Sequence, residues 1–220
     1  MLATLSLEFL FAIYVFFSSN ERSPAVKIII ALLVCLGIFQ LVEYQVCGGD
    51  RTVELMRLGY AAITLLPALG IHLVTLITKH NWARNLGYFF AIIIIGVFAF
   101  STQSIHAATC GGNYILIKTS GVVAQMYFPI YYYVAIAITF IEMLWFFATR
   151  SRRTGKENEA RTMLCWLLVG YAVFLIPTGA VYLLTSAARA GLPSIMCGFA
   201  VFFAFVLTFF VYPLAKKLKI

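Results

Sequence analysis

Apolar residues along this chain gather into seven long runs instead of alternating with polar ones. The runs lie near 4–19, 25–47, 52–78, 83–101, 121–149, 161–186 and 191–214, each bounded by polar or turn residues. A helix needs roughly 20 predominantly apolar residues to cross the ~30 Å hydrocarbon layer of a bilayer. The pattern therefore predicts an all-α, polytopic seven-transmembrane-helix bundle, with residues 1–220 forming a single domain. Connections are short except 102–120 and the basic 150–160. No basic segment precedes the first run, and Ser18-Ser19-Asn20 after it is a poor cleavage site, so a retained helix is expected there and not a removed signal peptide.

Composition narrows the function classes. The 220 residues are 63% hydrophobic and 11% charged, whereas soluble domains carry about 25% charged residues. That leaves too little polar surface for a water-facing globule, and no room for a fused kinase or nuclease. The net charge of +8 is a matter of topology. Arg22, Lys27, Lys79, Arg84, Arg150, Arg152, Arg153, Lys156, Arg161, Lys216, Lys217 and Lys219 fall on one side of the predicted spans. Only Arg51, Arg57, Lys118 and Arg189 fall on the other. By the positive-inside rule this asymmetry puts the N-terminus outside and the C-terminus in the cytoplasm. The lipid bilayer is the expected partner, and nucleic acid is not.

Orientation gives two cysteines a meaning. Cys47 ends the second run and Cys110 sits in the 102–120 loop, both on the oxidising side, and each is followed by Gly-Gly. A Cys47–Cys110 disulfide pinning the long loop over the bundle mouth is expected. Cys35, Cys165 and Cys197 fall inside helices as small packing residues.

Polar residues at membrane depth carry the remaining signal, because ionisable groups in spans are costly and face a bundle interior or cavity. Gln40, Glu43 and Cys47 share one stripe of the second span. On the third, Arg57, Tyr60, Thr64, Ala68, His72 and Thr75 fall within roughly 120° of the helix surface. A Glu43–Arg57 pair is expected, as the centre of a ligand-binding cavity walled by Gln40, Glu43, Arg57, Tyr60, Gln125 and Tyr127. The same pair fits, more readily still, a purely structural role in helix register, and an unpaired Arg57 snorkelling to the outer interface is the third reading. His72 and Glu142 form a second candidate buried pair, too few ligands for a metal. Glu8 is placed near the outer surface, in contact with water. Pro129 precedes Tyr131, Tyr132 and Tyr133, which point three ways round their helix; Pro67 and Pro177 sit mid-span, where helix breaks mark hinges or sites in transporters.

Several chemistries lack their residues. The last run has no Lys for a retinal Schiff base and no His for a membrane zinc amidohydrolase. No Ser-His-Asp arrangement, Walker loop or Cys-x-x-Cys pair is visible. No catalytic residue, cofactor or metal is expected.

The stretches Gln40-Leu41-Val42-Glu43, Arg57-Leu58-Gly59-Tyr60 and Leu66-Pro67-Ala68-Leu69-Gly70-Ile71-His72 resemble the second and third spans of the seven-transmembrane sensor region of bacterial histidine kinases. The chain is also similar to small stand-alone bacterial seven-span membrane proteins of unknown function, through Gly37-Ile38-Phe39-Gln40-Leu41-Val42-Glu43 and Ser194-Ile195-Met196-Cys197-Gly198-Phe199-Ala200. The resemblance implies a membrane sensor fold in the bacterial inner (cytoplasmic) membrane, with Glu43 and Pro67 as family-like positions, and the kinase itself is missing here. The expected function is a ligand-sensing or binding module with a small-molecule ligand, acting through a cytoplasmic partner at the basic segment Arg150, Arg152, Arg153, Lys156 and Arg161. A small secondary transporter or proton-coupled carrier is the alternative, and an intramembrane enzyme the second alternative.

Overall fold

The structure is a computed structural model that describes residues 2–19, 23–50, 52–100, 105–110, 115–119, 126–149, 155–184 and 192–220. The helices are α1 (Leu2–Ser18), α2 (Pro24–Cys47), α3 (Val53–Thr78), α4 (Asn81–Phe100), α5 (Phe128–Thr149), α6 (Gly155–Leu184) and α7 (Leu192–Val206). A π-helical stretch, Leu207–Val211, carries α7 directly into α8 (Tyr212–Leu218). Among the described residues six helical rods are long and apolar enough to cross a membrane: α2 to α6, and the continuous Ser194–Leu218. The 17-residue α1 is a shorter apolar helix. This is an integral, multi-pass helical membrane protein.

Element boundaries follow local chemistry. Ser23 caps α2, its side chain accepting from the Val26 N–H, with Pro24 in the first turn where its missing donor costs nothing. Three boundaries differ from the expectation drawn from hydropathy. The 102–120 connection is no plain loop, since it holds an antiparallel hairpin of β1 (Ile105–Cys110) and β2 (Ile115–Thr119). Helix α5 starts at Phe128, after a π turn at 126–127, and α6 starts at Gly155, so Lys156 and Arg161 ride on a helix.

Helices α2 and α3 form the centre. They bury 61% and 72% of their spanning windows, against 28% for α4 and 33% for α5 and α6. Their mutual contact is made close by Gly59, whose missing side chain leaves room for Val42 and Phe39. The outer helices turn Phe89, Ile92, Ile141, Leu144 and Ile176 outward, as lipid-facing surfaces require. Pro67 withholds a backbone donor from α3. One turn earlier the Thr64 carbonyl accepts from the Tyr131 hydroxyl at 2.9 Å, which docks α5 on α3. The three tyrosines do diverge: Tyr131 is buried, Tyr132 half-buried and Tyr133 exposed. At the far end of α1, Ser18 Oγ donates to the Tyr212 hydroxyl (2.9 Å), and Lys216 Nζ donates to the Ser18 carbonyl (3.0 Å).

Gly70 is where backbone and side chain meet most closely, since a Cβ there would run into the Tyr171 hydroxyl of α6. Gly70→Ala should destabilise the bundle by about 1–3 kcal/mol through overpacking, and adding Tyr171→Phe should recover much of that loss. Thermal unfolding of the single and double variants in detergent checks this: equal losses with and without Tyr171→Phe would place the strain elsewhere.

Candidate functional site

The hairpin sits at one end of the bundle and is tied down twice. A disulfide joins Cys47, the last residue of α2, to Cys110 of β1, with their Cα atoms 5.3 Å apart, as the cysteine positions led us to expect. On the second strand Ile115 is buried, and its N–H donates to Ser194 Oγ of α7 at 3.0 Å. The hairpin thus bridges α2 and α7 and roofs the seam between them.

Beneath this roof lies a column of polar side chains shut away from water: Glu8 of α1, Gln40 and Glu43 of α2, and Ser194 of α7, at 0%, 1%, 1% and 3% exposure. Antiparallel packing of α1 on α2 sets their levels. Thr4 Oγ1 donates to Gln40 Oε1 at 3.0 Å, and the Phe9 ring lies against Gly37. Glu43 is therefore closest to the disulfide and Glu8 lies deeper. The Ser194 hydroxyl is directed at the Glu43 carboxylate, and Glu8, Glu43 and Cys197 stand within electrostatic reach of one another. Both carboxylate oxygens of Glu8 and Oε1 of Glu43 have no hydrogen-bond partner. An unpartnered buried carboxylate is among the most costly groups a protein can hold, which makes the column the candidate site.

The residues anticipated from sequence divide between two places. Gln40 and Glu43 belong to the column. Tyr60 belongs to an aromatic cluster on the other side of α3, stacked on Phe98 at 4.6 Å and edge-on to Phe128 at 5.6 Å. Tyr127 is exposed, Arg57 is half-buried, and Gln125 lies outside the described residues. Among the described residues ion pairs join His80 to Glu142 and Lys217 to Glu159, and none joins Glu43 to Arg57. The reason is angular. The polar stripe of α3 faces α4 and α5, where Tyr60 meets Phe98 and Thr64 receives Tyr131. The stripe of α2 faces α1 and α7. Adjacent helices thus present their polar sides to different neighbours.

The His72–Glu142 pairing is likewise replaced. His72 Nδ1 meets the Tyr88 hydroxyl at 2.9 Å, while Glu142 Oε2 meets His80 Nδ1 at 2.7 Å, with the His80 ring 4.3 Å from that of Trp145. His80 lies in the link between α3 and α4, so this pair ties that link to α5. The expectation for Glu8 is also corrected, for it is fully buried. Cys197 is buried as anticipated, whereas Cys165 is exposed. Glu8, Ser194 and Cys197 were the members of the site that sequence reasoning missed. The one available signal was a carboxylate two turns inside an apolar helix.

Two cavities flank these features. A small one, about 40 Å³, lies between α2, α3, α5, α6 and α7, lined by apolar side chains with Cys197, Pro67, Tyr132 and Tyr171 among them. A larger apolar groove of about 420 Å³ separates α4 from α5, with Gly87 and Tyr127 in its lining. Among the described residues no three His, Cys, Asp or Glu side chains gather to hold a metal ion.

Comparison with protein-family models, with curated proteins and with solved structures returns no match to this chain.

The disulfide closes a loop of 63 residues, which corresponds to about 2–4 kcal/mol of stabilisation. Cys47→Ser or reduction should lower the melting temperature and expose the hairpin to trypsin at Lys118, leaving the helices intact. Limited proteolysis with and without reductant is the measurement, and an unchanged hairpin cleavage rate would show that the roof is held by other contacts.

Proposed function

We propose that this protein is a membrane-embedded ligand-sensing module that takes a small polar molecule into the roofed column formed by Gln40, Glu43 and Ser194. The observation that carries this reading is Glu43, a buried carboxylate with a bare oxygen next to a hydroxyl that also holds the roof. A ligand touching Glu43 would alter the Ser194 hydrogen bond and with it the hairpin. That is a link between occupancy and conformation, which a sensor needs.

In this reading all seven helices span the bilayer of a bacterial inner membrane. At 1.5 Å per residue α1 is about 25 Å long, within the range of short spans. The disulfide end faces outward, where oxidation is possible. Lys27, Lys79, Arg84, Lys156, Arg161, Lys216, Lys217 and Lys219 cluster at the opposite end, which supports a cytoplasmic C-terminus and a partner engaged through the segment 150–161. Positions 150–154 of that segment lie outside the described residues. The resemblance to histidine-kinase sensor regions agrees with such an output through a separate protein. A proton-coupled carrier is the second reading, favoured by the buried acids together with Pro67 and Pro177 inside continuous helices.

Orientation is tested by placing a cysteine at residue 155 in a chain whose exposed Cys165 has been replaced. An impermeant thiol reagent should not reach it in intact cells, and labelling from outside would reverse the topology. Function is tested by thermal shift with a panel of amino acids, amines and carboxylates on the purified full chain. At least one compound should stabilise the protein by several degrees, and Glu43→Gln should weaken that effect at least tenfold in concentration. Accumulation of the same compound in reconstituted proteoliposomes would replace the sensor reading with the carrier.

A further inference from the structure

The column contains more carboxylate than its hydrogen bonds satisfy. Glu8 is fully buried with both oxygens bare, and Glu43 adds a third bare oxygen. Neither makes an ion pair with a Lys, Arg or His side chain among the described residues. Ionised side by side and away from water, the two acids would repel and forgo hydration at once, so they keep their charges only with a counter-charge beside them. A bound positive charge relieves both penalties.

The neighbouring donors define its kind. Thr4 Oγ1, Gln40 Oε1 and Ser194 Oγ are neutral, hard oxygens on the same seam, the ligand type that suits hard cations and not transition metals. Glu8 and Glu43 are fully enclosed where α1 packs on α2 through Thr4–Gln40 and Phe9–Gly37, so the space left at the acids is small. That excludes a bulky organic cation.

We propose that Glu8 and Glu43 form a binding site for a small monovalent cation, an alkali ion or ammonium, in the α1–α2–α7 seam. The site rests on the same column as the sensing function. It lies deeper than the Ser194-roofed mouth, with Glu8 as its main anion, so a cation and a polar ligand occupy different levels.

The test uses the purified full chain at constant ionic strength. Unfolding is followed by tryptophan fluorescence in sodium, ammonium or N-methylglucamine chloride, the last being too large to enter. Sodium or ammonium should raise the melting temperature by several degrees with a saturable concentration dependence, as mass action requires. The three salts separate the alkali ion from ammonium. Glu8→Gln should abolish the shift, Glu43→Gln should reduce it, and Glu142→Gln, which removes the acid paired with His80, should leave it intact. Identical melting in all three salts overturns the proposal, as does a sodium or ammonium shift that survives Glu8→Gln. Should Glu8→Gln fail to fold, equilibrium dialysis of radiolabelled sodium, competed by ammonium, decides on the wild-type chain alone. Saturable binding supports the site, and its absence together with flat melting overturns it. A silent metabolite panel with a clear cation shift would reject the sensing function alone, and the converse result would reject the cation site alone.

Discussion

Two carboxylates enclosed between three helices impose the strongest constraint on this bundle. Many of the buried hydroxyls among the described residues have a partner supplied locally. Thr64, Thr139, Thr178 and Thr208 each return a hydroxyl to the carbonyl four residues earlier. Those bonds belong to the helix that makes them and need no tertiary neighbour. Glu8 and Glu43 have no such local solution, so their cost falls on the way α1, α2 and α7 come together. The short α1 packs on α2 through Thr4 and Phe9, and this contact carries Glu8 into the interior.

The roof is the counterpart of that constraint. Its disulfide attaches it to α2 and its one described side-chain hydrogen bond attaches it to α7. Ser194 therefore serves two masters, accepting from the hairpin backbone and facing the acid below. The hydroxyl takes the Ile115 N–H on a lone pair and keeps its one proton for Glu43, so a movement of Ser194 with Glu43 displaces the acceptor that holds Ile115.

Much of this architecture was legible in the sequence because lipid simplifies the code. Apolar runs marked the helices, with the starts of α5 and α6 six or seven residues out, and the position of Cys47 and Cys110 at one end of the spans anticipated their bond. What stayed hidden was azimuth. A helical wheel tells which residues share a stripe, yet it leaves open which neighbour the stripe meets, and the separation of Glu43 from Arg57 turns on that. The same blindness concealed the His80–Glu142 pair. His80 stands outside any helix, so no periodicity linked it to α5. The hairpin was missed for a different reason, since Ile105-His106-Ala107-Ala108 and Ile115-Leu116-Ile117 are too short beside twenty-residue spans to stand out as strands.

The π-helical stretch from Leu207 to Val211 divides the last rod into two halves that are out of phase. Widening the turn accommodates about one additional residue relative to an α-helix, which rotates everything beyond it by roughly 100° about the axis. The half nearer the roof, with Ser194 and Cys197, is thereby uncoupled in angle from the half that brings Tyr212 and Lys216 to Ser18. One rod can so serve two seams that a uniform helix would align with only one of them. Its length is then a registered quantity: a one-residue deletion within those five positions would keep the rod apolar and helical while turning one of its two faces away from its partner.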